Sequence, residues 1–221
     1  MTSLTYDIEH SITIPSGTSQ LDGLLYIPKQ ASGLVLFVHG SGSSRFSTRN
    51  QFVAHCLNEA NLATLLFDLL TPEEDHIDNL TRAFRFDIGL LASRLVDVTR
   101  WCQKQPVLHP MNIGYFGSST GGGAALIAAA TLPDTVHAVV SRDGRPDLAA
   151  ESLNQVIAPT LLIVGGLDDV VIGLNQSALS QMNCIKQLEI VPGATHLFEE
   201  PGTLNEVVRL AKAWFVSYLN R

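Results

Sequence analysis

Residues 112–123 read NIGYFGSSTGGG. An apolar, β-prone run stops at Gly117, and two hydroxyls, Ser118 and Ser119, follow it among glycines. A G-x-S-x-G string is weak evidence by itself. It gains meaning where a strand leads in and a helix leads out, because that context lifts a nucleophile on a sharp bend. Both flanks are present here. Only Ser119 has glycine at both two-residue offsets, so it is the expected nucleophile, and Ser118 is the alternative hydroxyl. Gly122, Gly123, Ala124 and Ala125 behind it allow helix and strand to approach closely. The bland reading is a glycine-rich turn whose serines cap the helix.

Outward from this stretch, strands and helices alternate. Two strand candidates, Leu4–Ile14 and Gln20–Ile27, flank the turn residues PSGTS and read as an antiparallel pair. LVLFVHG (34–40) is a continuous apolar strand of the kind buried on both faces. A helix marked by Phe52, Val53, Cys56, Leu57 and Ala60 follows, then the strand ATLLFD (63–68). A long helix places Leu91, Leu95, Val98 and Cys102 on one stripe and ends near Pro106. After the opening motif come strands at 137–141, 160–166 and 187–191, a short helix at 174–182, and a C-terminal amphipathic helix from Leu204 to Tyr218. The segment EEDHID (73–78) reads as a solvated acidic loop.

The pattern predicts an α/β fold: a mostly parallel eight-stranded sheet with an antiparallel N-terminal edge and helices on both faces. With no repeat or linker, residues 1–221 are expected to form a single domain. In such sheets ligands bind beyond the carboxyl ends of the strands, so chemistry belongs just after Val38, Phe67, Phe116, Val140, Val164 and Val191.

Three strand ends carry the residue types of acyl transfer. Ser119 is the nucleophile. Asp168, in IVGGLDDVV, is the expected orienting acid in preference to Asp169, with Asp143 after the preceding strand as a further competitor. His196, in VPGATHLFEE, is the expected base, and the order nucleophile, acid, histidine is the one this arrangement uses. A fourth strand end, His39-Gly40-Ser41-Gly42, supplies an oxyanion loop. The N–H groups of Ser41 and Thr120 are the expected donors, and His39 is expected to support the loop rather than to react.

HGSGSS, GYFGSSTGGG, GGLDDVV and GATHLF together resemble the oxyanion loop, elbow, acid and histidine segments of the α/β-hydrolase superfamily, most nearly the dienelactone hydrolase group. The resemblance covers nearly the whole chain. It implies a hydrolase without a cap domain, since only 141–158 separates the strands where larger relatives insert one. The dienelactone hydrolases that give the group its name use cysteine at the elbow, where this chain has Ser119. The resemblance therefore implies a serine hydrolase acting on a small carboxylic ester, lactone or thioester, with no cofactor and no metal.

Composition narrows the alternatives. A net charge of −7 argues against nucleic-acid or anionic-membrane partners. Three scattered cysteines without a CxxC pair, no signal-peptide pattern at the start, and no apolar run long enough to span a bilayer predict a cytoplasmic protein. A dinucleotide-binding reading of VHGSGSSR with Asp68 fails at the third glycine position, which is Arg45. A non-catalytic binding protein on the same fold remains the other expectation.

Overall fold

The computed structural model describes residues 4–220. Residues 1–3 and 221 of the expected single domain lie outside the described residues. Eight strands form one sheet in the order β1-β2-β4-β3-β5-β6-β7-β8. β1 (Glu9–Ser16) and β2 (Ser19–Tyr26) pair antiparallel, and β2 also runs antiparallel to β4 (Leu62–Phe67). From β4 onward, β3 (Gly33–Val38), β5 (Asn112–Ser118), β6 (Val136–Arg142), β7 (Thr160–Gly165) and β8 (Lys186–Val191) are all parallel. This is the expected sheet, with its antiparallel edge.

Sequence chemistry explains the layering. β3, β4 and β7 are buried along their whole lengths, as two-sided coverage requires of unbroken apolar runs. β1 starts at Glu9 rather than Leu4 and turns into β2 through Gly17 at φ +57, a conformation glycine adopts without a Cβ clash.

Helices α1 (Thr48–Asn58) and α6 (Thr203–Leu219) cover one face, where Val53, Leu57, Val207, Ala211 and Phe215 pack on Phe37, Phe116 and Val140. The other face carries α3 (Ile88–Gln103), α4 (Thr120–Thr131) and α5 (Asp169–Gln181), with Leu91, Leu95, Val98, Cys102, Ala125 and Ala178 in its core. A 3-10 segment, Pro146–Gln155, is the only regular element between β6 and β7.

Three expectations need correction. The acidic segment at 73–78 is not a loop but part of a helix, α2 (Pro72–Thr81). Thr71 caps it, accepting from the Glu74 N–H at 3.2 Å while Glu74 returns a carboxylate to the Thr71 N–H at 2.8 Å, a reciprocal capping box. α5 starts at Asp169, five residues before the predicted helix, because Asp168 caps it through the Val171 N–H at 3.3 Å. On α1 the buried positions are Asn50, Val53, Ala54 and Leu57, while Phe52 faces solvent.

Candidate active site

β5 runs into α4 through Ser119, whose backbone sits at φ 51 and ψ −123. A non-glycine residue held there costs about 1–3 kcal/mol, and such positions persist only where their surroundings over-determine them. Here they do. The Ser119 N–H donates to the carbonyl of Arg142 at 3.2 Å, and its own carbonyl accepts from the N–H groups of Arg145 and Gly122, both at 3.0 Å. A Cβ at 117 would meet the Gly121 carbonyl at 2.7 Å, and one at 121 would fall on the Val38 carbonyl. Both motif glycines are therefore demanded by close backbone packing. The two hydroxyls separate cleanly. Ser118 is buried, with Oγ donating to Asn50 Oδ1 at 3.2 Å, whereas Ser119 stands at the bend, partly exposed.

His196 arrives on the loop between β8 and α6. Its Nδ1 is 2.5 Å from Asp143 Oδ2 and 3.1 Å from Asp168 Oδ2, so two carboxylates meet one ring nitrogen. Asp168 was expected there; Asp143, its competitor, is the nearer. Asp143 follows β6 at φ +45 and is 1% exposed, with Oδ1 accepting from the Gly165 N–H at 2.7 Å. The Asp168 side chain is 21% exposed. Asp169 carries no such contact and begins α5.

The hydrogen bond to Asp143 raises the His196 pKa, burial opposes it, and Asp168 adds to it. The Asp143 carboxyl is also pushed up, first by burial, in spite of its histidine contact. The two directions agree physically: a half-enclosed cluster with two carboxylates holds protons tightly. The ligand atoms of these three side chains lie within 4.8 Å of one another, and the contacts among them run from His196 Nδ1 to the two carboxylates.

The oxyanion loop follows β3. His39 is buried and bridges this loop to the end of β4, with Nδ1 at 2.9 Å from the Gly40 carbonyl and Nε2 accepting from the Leu69 N–H at 3.0 Å. Burial lowers its pKa, which fits a neutral supporting ring. The Ser41 N–H, an expected donor, is engaged by Thr120 Oγ1 at 3.0 Å, and Ser41 Oγ donates to the Arg85 carbonyl at 3.1 Å. The Thr120 N–H opens α4 and has no carbonyl one turn earlier in the helix. Asp68, the ribose-binding acid of the dinucleotide alternative, instead accepts from the Arg45 backbone at 2.6 Å and from its guanidinium.

Beside the loop lies a recess of about 210 Å³, lined by residues that include His39, Ser41, Leu69, Leu70, Arg85 and Leu91. Sequence reasoning missed how this recess is built. Asp78 on α2 is buried and accepts from the N–H groups of Phe84 and Arg85 at 2.8 and 2.9 Å and from Arg85 Nε at 2.5 Å. Arg85 is thereby held against the oxyanion loop, where its carbonyl accepts from Ser41 Oγ. Glu74 completes the support with a bidentate pair to Arg94 at 2.6 Å. A larger open groove, about 820 Å³, lies along β2, β4 and α1, and none of the expected site residues lines it.

A sheet of this order, with a strained serine after β5, an acid-bound histidine after β8 and a glycine loop after β3, defines the α/β-hydrolase fold. The chain belongs to the dienelactone hydrolase family, whose model matches residues 21–216. It is 58% identical to a crystal structure described as a dienelactone hydrolase from Anabaena variabilis, with a TM-score of 0.95 over 96% of this chain and 98% of that one. The structure of Est1E from Butyrivibrio proteoclasticus shares the fold at 18% identity, with a TM-score of 0.78 over 94% of this chain and 98% of that one. Among curated proteins, it is 56% identical over 211 residues to a Mycobacterium tuberculosis protein named "Putative phosphoribosyl transferase". That match covers 96% of this chain and 47% of the relative, so the chain spans about half the relative's length.

Among the described residues, no helix is long and apolar enough to cross a membrane.

Proposed function

We propose that this chain is a serine hydrolase that cleaves a small carboxylic ester, lactone or thioester through an acyl-enzyme. The observation that carries the reading is the strained Ser119 bend, hydrogen-bonded at its backbone to the turn that presents an acid to His196. Ser119 Oγ attacks the carbonyl carbon as His196 Nε2 takes its proton, with Asp168 among the groups that keep Nδ1 protonated. As the carbonyl oxygen gains charge, the Ser41 N–H exchanges Thr120 Oγ1 for the oxyanion, and the Thr120 N–H is the second donor. A charge-assisted hydrogen bond then replaces a neutral one, which favours the transition state over the resting site. His196 next protonates the leaving group, and water attacks the acyl-enzyme with the same base.

The recess beside Ser41 suits a small substrate group, with Leu69, Leu70 and Leu91 supplying apolar contact. Nothing in this chemistry calls for a cofactor or metal, for nucleic acid, or for a membrane surface, and it suits a cytoplasmic setting. The phosphoribosyl transferase name belongs to a relative about twice as long, of which this chain matches 47%. Turnover of p-nitrophenyl acetate, abolished by Ser119→Ala with the fold intact, is the expected result. A folded wild-type chain inert toward esters, lactones and thioesters would leave a non-catalytic binding protein as the better reading.

A further inference from the structure

A single buried acid is enough to fix a catalytic histidine in the right tautomer. This chain brings two. Asp143 leaves β6 and Asp168 follows β7, adjacent strands paired in register at Arg142 and Ile163, so the two carboxylates reach one imidazole from neighbouring strand ends.

Their attachments differ. The turn that carries Asp143 is fastened to the nucleophile itself: Ser119 donates to the carbonyl of Arg142 and accepts from the N–H of Arg145. The Asp143 N–H donates to the Ile163 carbonyl at 2.7 Å, and its Oδ1 accepts from Gly165, which leaves Oδ2 for His196. β7 thus fixes the backbone and Oδ1 of Asp143, while Ser119 fastens the residues on either side of its turn. Asp168 is partly exposed, caps α5 through Oδ1, and reaches Nδ1 over the longer distance. A buried partner acts through a lower effective dielectric than a solvated one, so the shorter, enclosed contact dominates.

We infer that Asp143 is the principal positioning acid for His196 and that Asp168 is a second acid on the same nitrogen, so that a carboxylate pair holds the imidazolium formed during turnover. The inference rests on the serine-hydrolase reading for its kinetic consequences only. In the step concerned, the Ser119 proton moves to Nε2 as the O–C bond forms and the carbonyl π pair moves onto oxygen. Nδ1–H stays in place, shared between Asp143 Oδ2 and Asp168 Oδ2. Other charged groups nearby are already engaged or carry opposite charge. Glu199 pairs with Arg49 at 3.1 Å, and Glu200 accepts from Thr195. Arg142, next to Asp143, is buried, and burial lowers its pKa to about 10, with Arg49 adding to the effect.

The test compares Asp143→Asn, Asp168→Asn and the double variant, with p-nitrophenyl acetate as substrate. Asparagine preserves the acceptor for the Gly165 N–H, so the turn survives while the charge at Nδ1 is lost. Because either acid alone still holds the productive tautomer, the single losses are smaller than that of a triad with no acid. Expected losses in kcat/KM are about tenfold for Asp168→Asn, about a hundredfold for Asp143→Asn, and about ten-thousandfold for the pair, the scale seen when the only acid is lost. The double loss then exceeds the product of the singles.

In the same proteins, NMR titration of the His196 imidazole gives a readout that a merely structural role for Asp143 would not move. Its midpoint falls in both single variants, and further in Asp143→Asn. Wild-type rates and an unmoved midpoint in either single variant would overturn the carboxylate pair. A larger loss from Asp168→Asn than from Asp143→Asn would overturn the order of the two acids. If the wild-type chain turned over no ester, the hydrolase reading would fall, yet the titration would still show which carboxylates hold His196.

Discussion

The backbone N–H of Ser41 donates to the side-chain hydroxyl of Thr120 at 3.0 Å, tying the loop after β3 to the first residue of α4. The Ser41 hydroxyl is also 3.0 Å from the same oxygen, so Thr120 Oγ1 is the joint between oxyanion loop and elbow. Thr120→Val keeps the shape and removes the joint. Thermal or urea unfolding is expected to show a loss of about 1 kcal/mol, the usual net worth of such a bond. The Ser41 hydroxyl keeps its contact to Thr120 Oγ1 when the N–H turns to the oxyanion, so without that contact the loop is less well placed, and kcat is expected to fall roughly tenfold with little change in KM. Unchanged kcat would mean that the Ser41 Oγ contact to the Arg85 carbonyl positions the loop alone.

His196 sets opposite pH trends for rate and stability. Its pKa is raised above the ordinary 6.5, chiefly by the hydrogen bond to Asp143. A base must be neutral to accept a proton, so kcat/KM is expected to climb with pH through a midpoint above 6.5. A histidine whose folded pKa is raised contributes stability that is fully present below its unfolded value and lost as pH rises through the folded one. The difference in melting midpoint between wild type and His196→Gln should therefore shrink on going from pH 6 to pH 9. A rate limb below 6.5, or a stability difference that grows with pH, would contradict the carboxylate contacts at Nδ1.

Asp78 holds the cover of the recess in place. Burial works to raise its carboxyl, but the N–H groups of Arg85 and Phe84 and the Arg85 guanidinium outweigh it and keep the pKa below the ordinary value. Asp78→Ala leaves those donors unpaired. Its expected cost is about 2–3 kcal/mol, less than for a fully enclosed pair because Arg85 reaches solvent. A carboxylate with a depressed pKa contributes stability present above its unfolded value and lost as pH falls through the folded one, so the cost should shrink in strong acid. Ester KM is expected to rise as Arg85 loosens at the recess. Equal stability of variant and wild type at neutral pH would show that α2 and α3 hold Arg85 in place without Asp78.

Much of this was legible because buried parallel strands advertise themselves. LVLFV, ATLLF and TLLIVG have no polar residue facing solvent to blur them, and the elbow glycines sit where a Cβ would strike the Val38 or Gly121 carbonyls. The α2 helix was missed because its charged residues outweighed a readable start, the Thr71-Pro72-Glu73-Glu74 capping box. The second acid at Nδ1 was harder to see. Asp143 stands within a short strand-end turn at positive φ, and only three-dimensional register brings the ends of β6 and β7 to the same imidazole. Likewise, no periodicity announces that Asp78 holds Arg85 against the oxyanion loop.

Of the two neighbouring hydroxyls, Ser119 is expected to be the nucleophile, while Ser118 is part of the core. A fluorophosphonate probe followed by peptide mass mapping tests this assignment directly, with Ser118→Ala, Ser119→Ala and His196→Ala alongside. One label is expected, on Ser119, retained in Ser118→Ala, absent in Ser119→Ala and strongly reduced in His196→Ala. Label on Ser118, or no label on a folded wild-type chain, would contradict it.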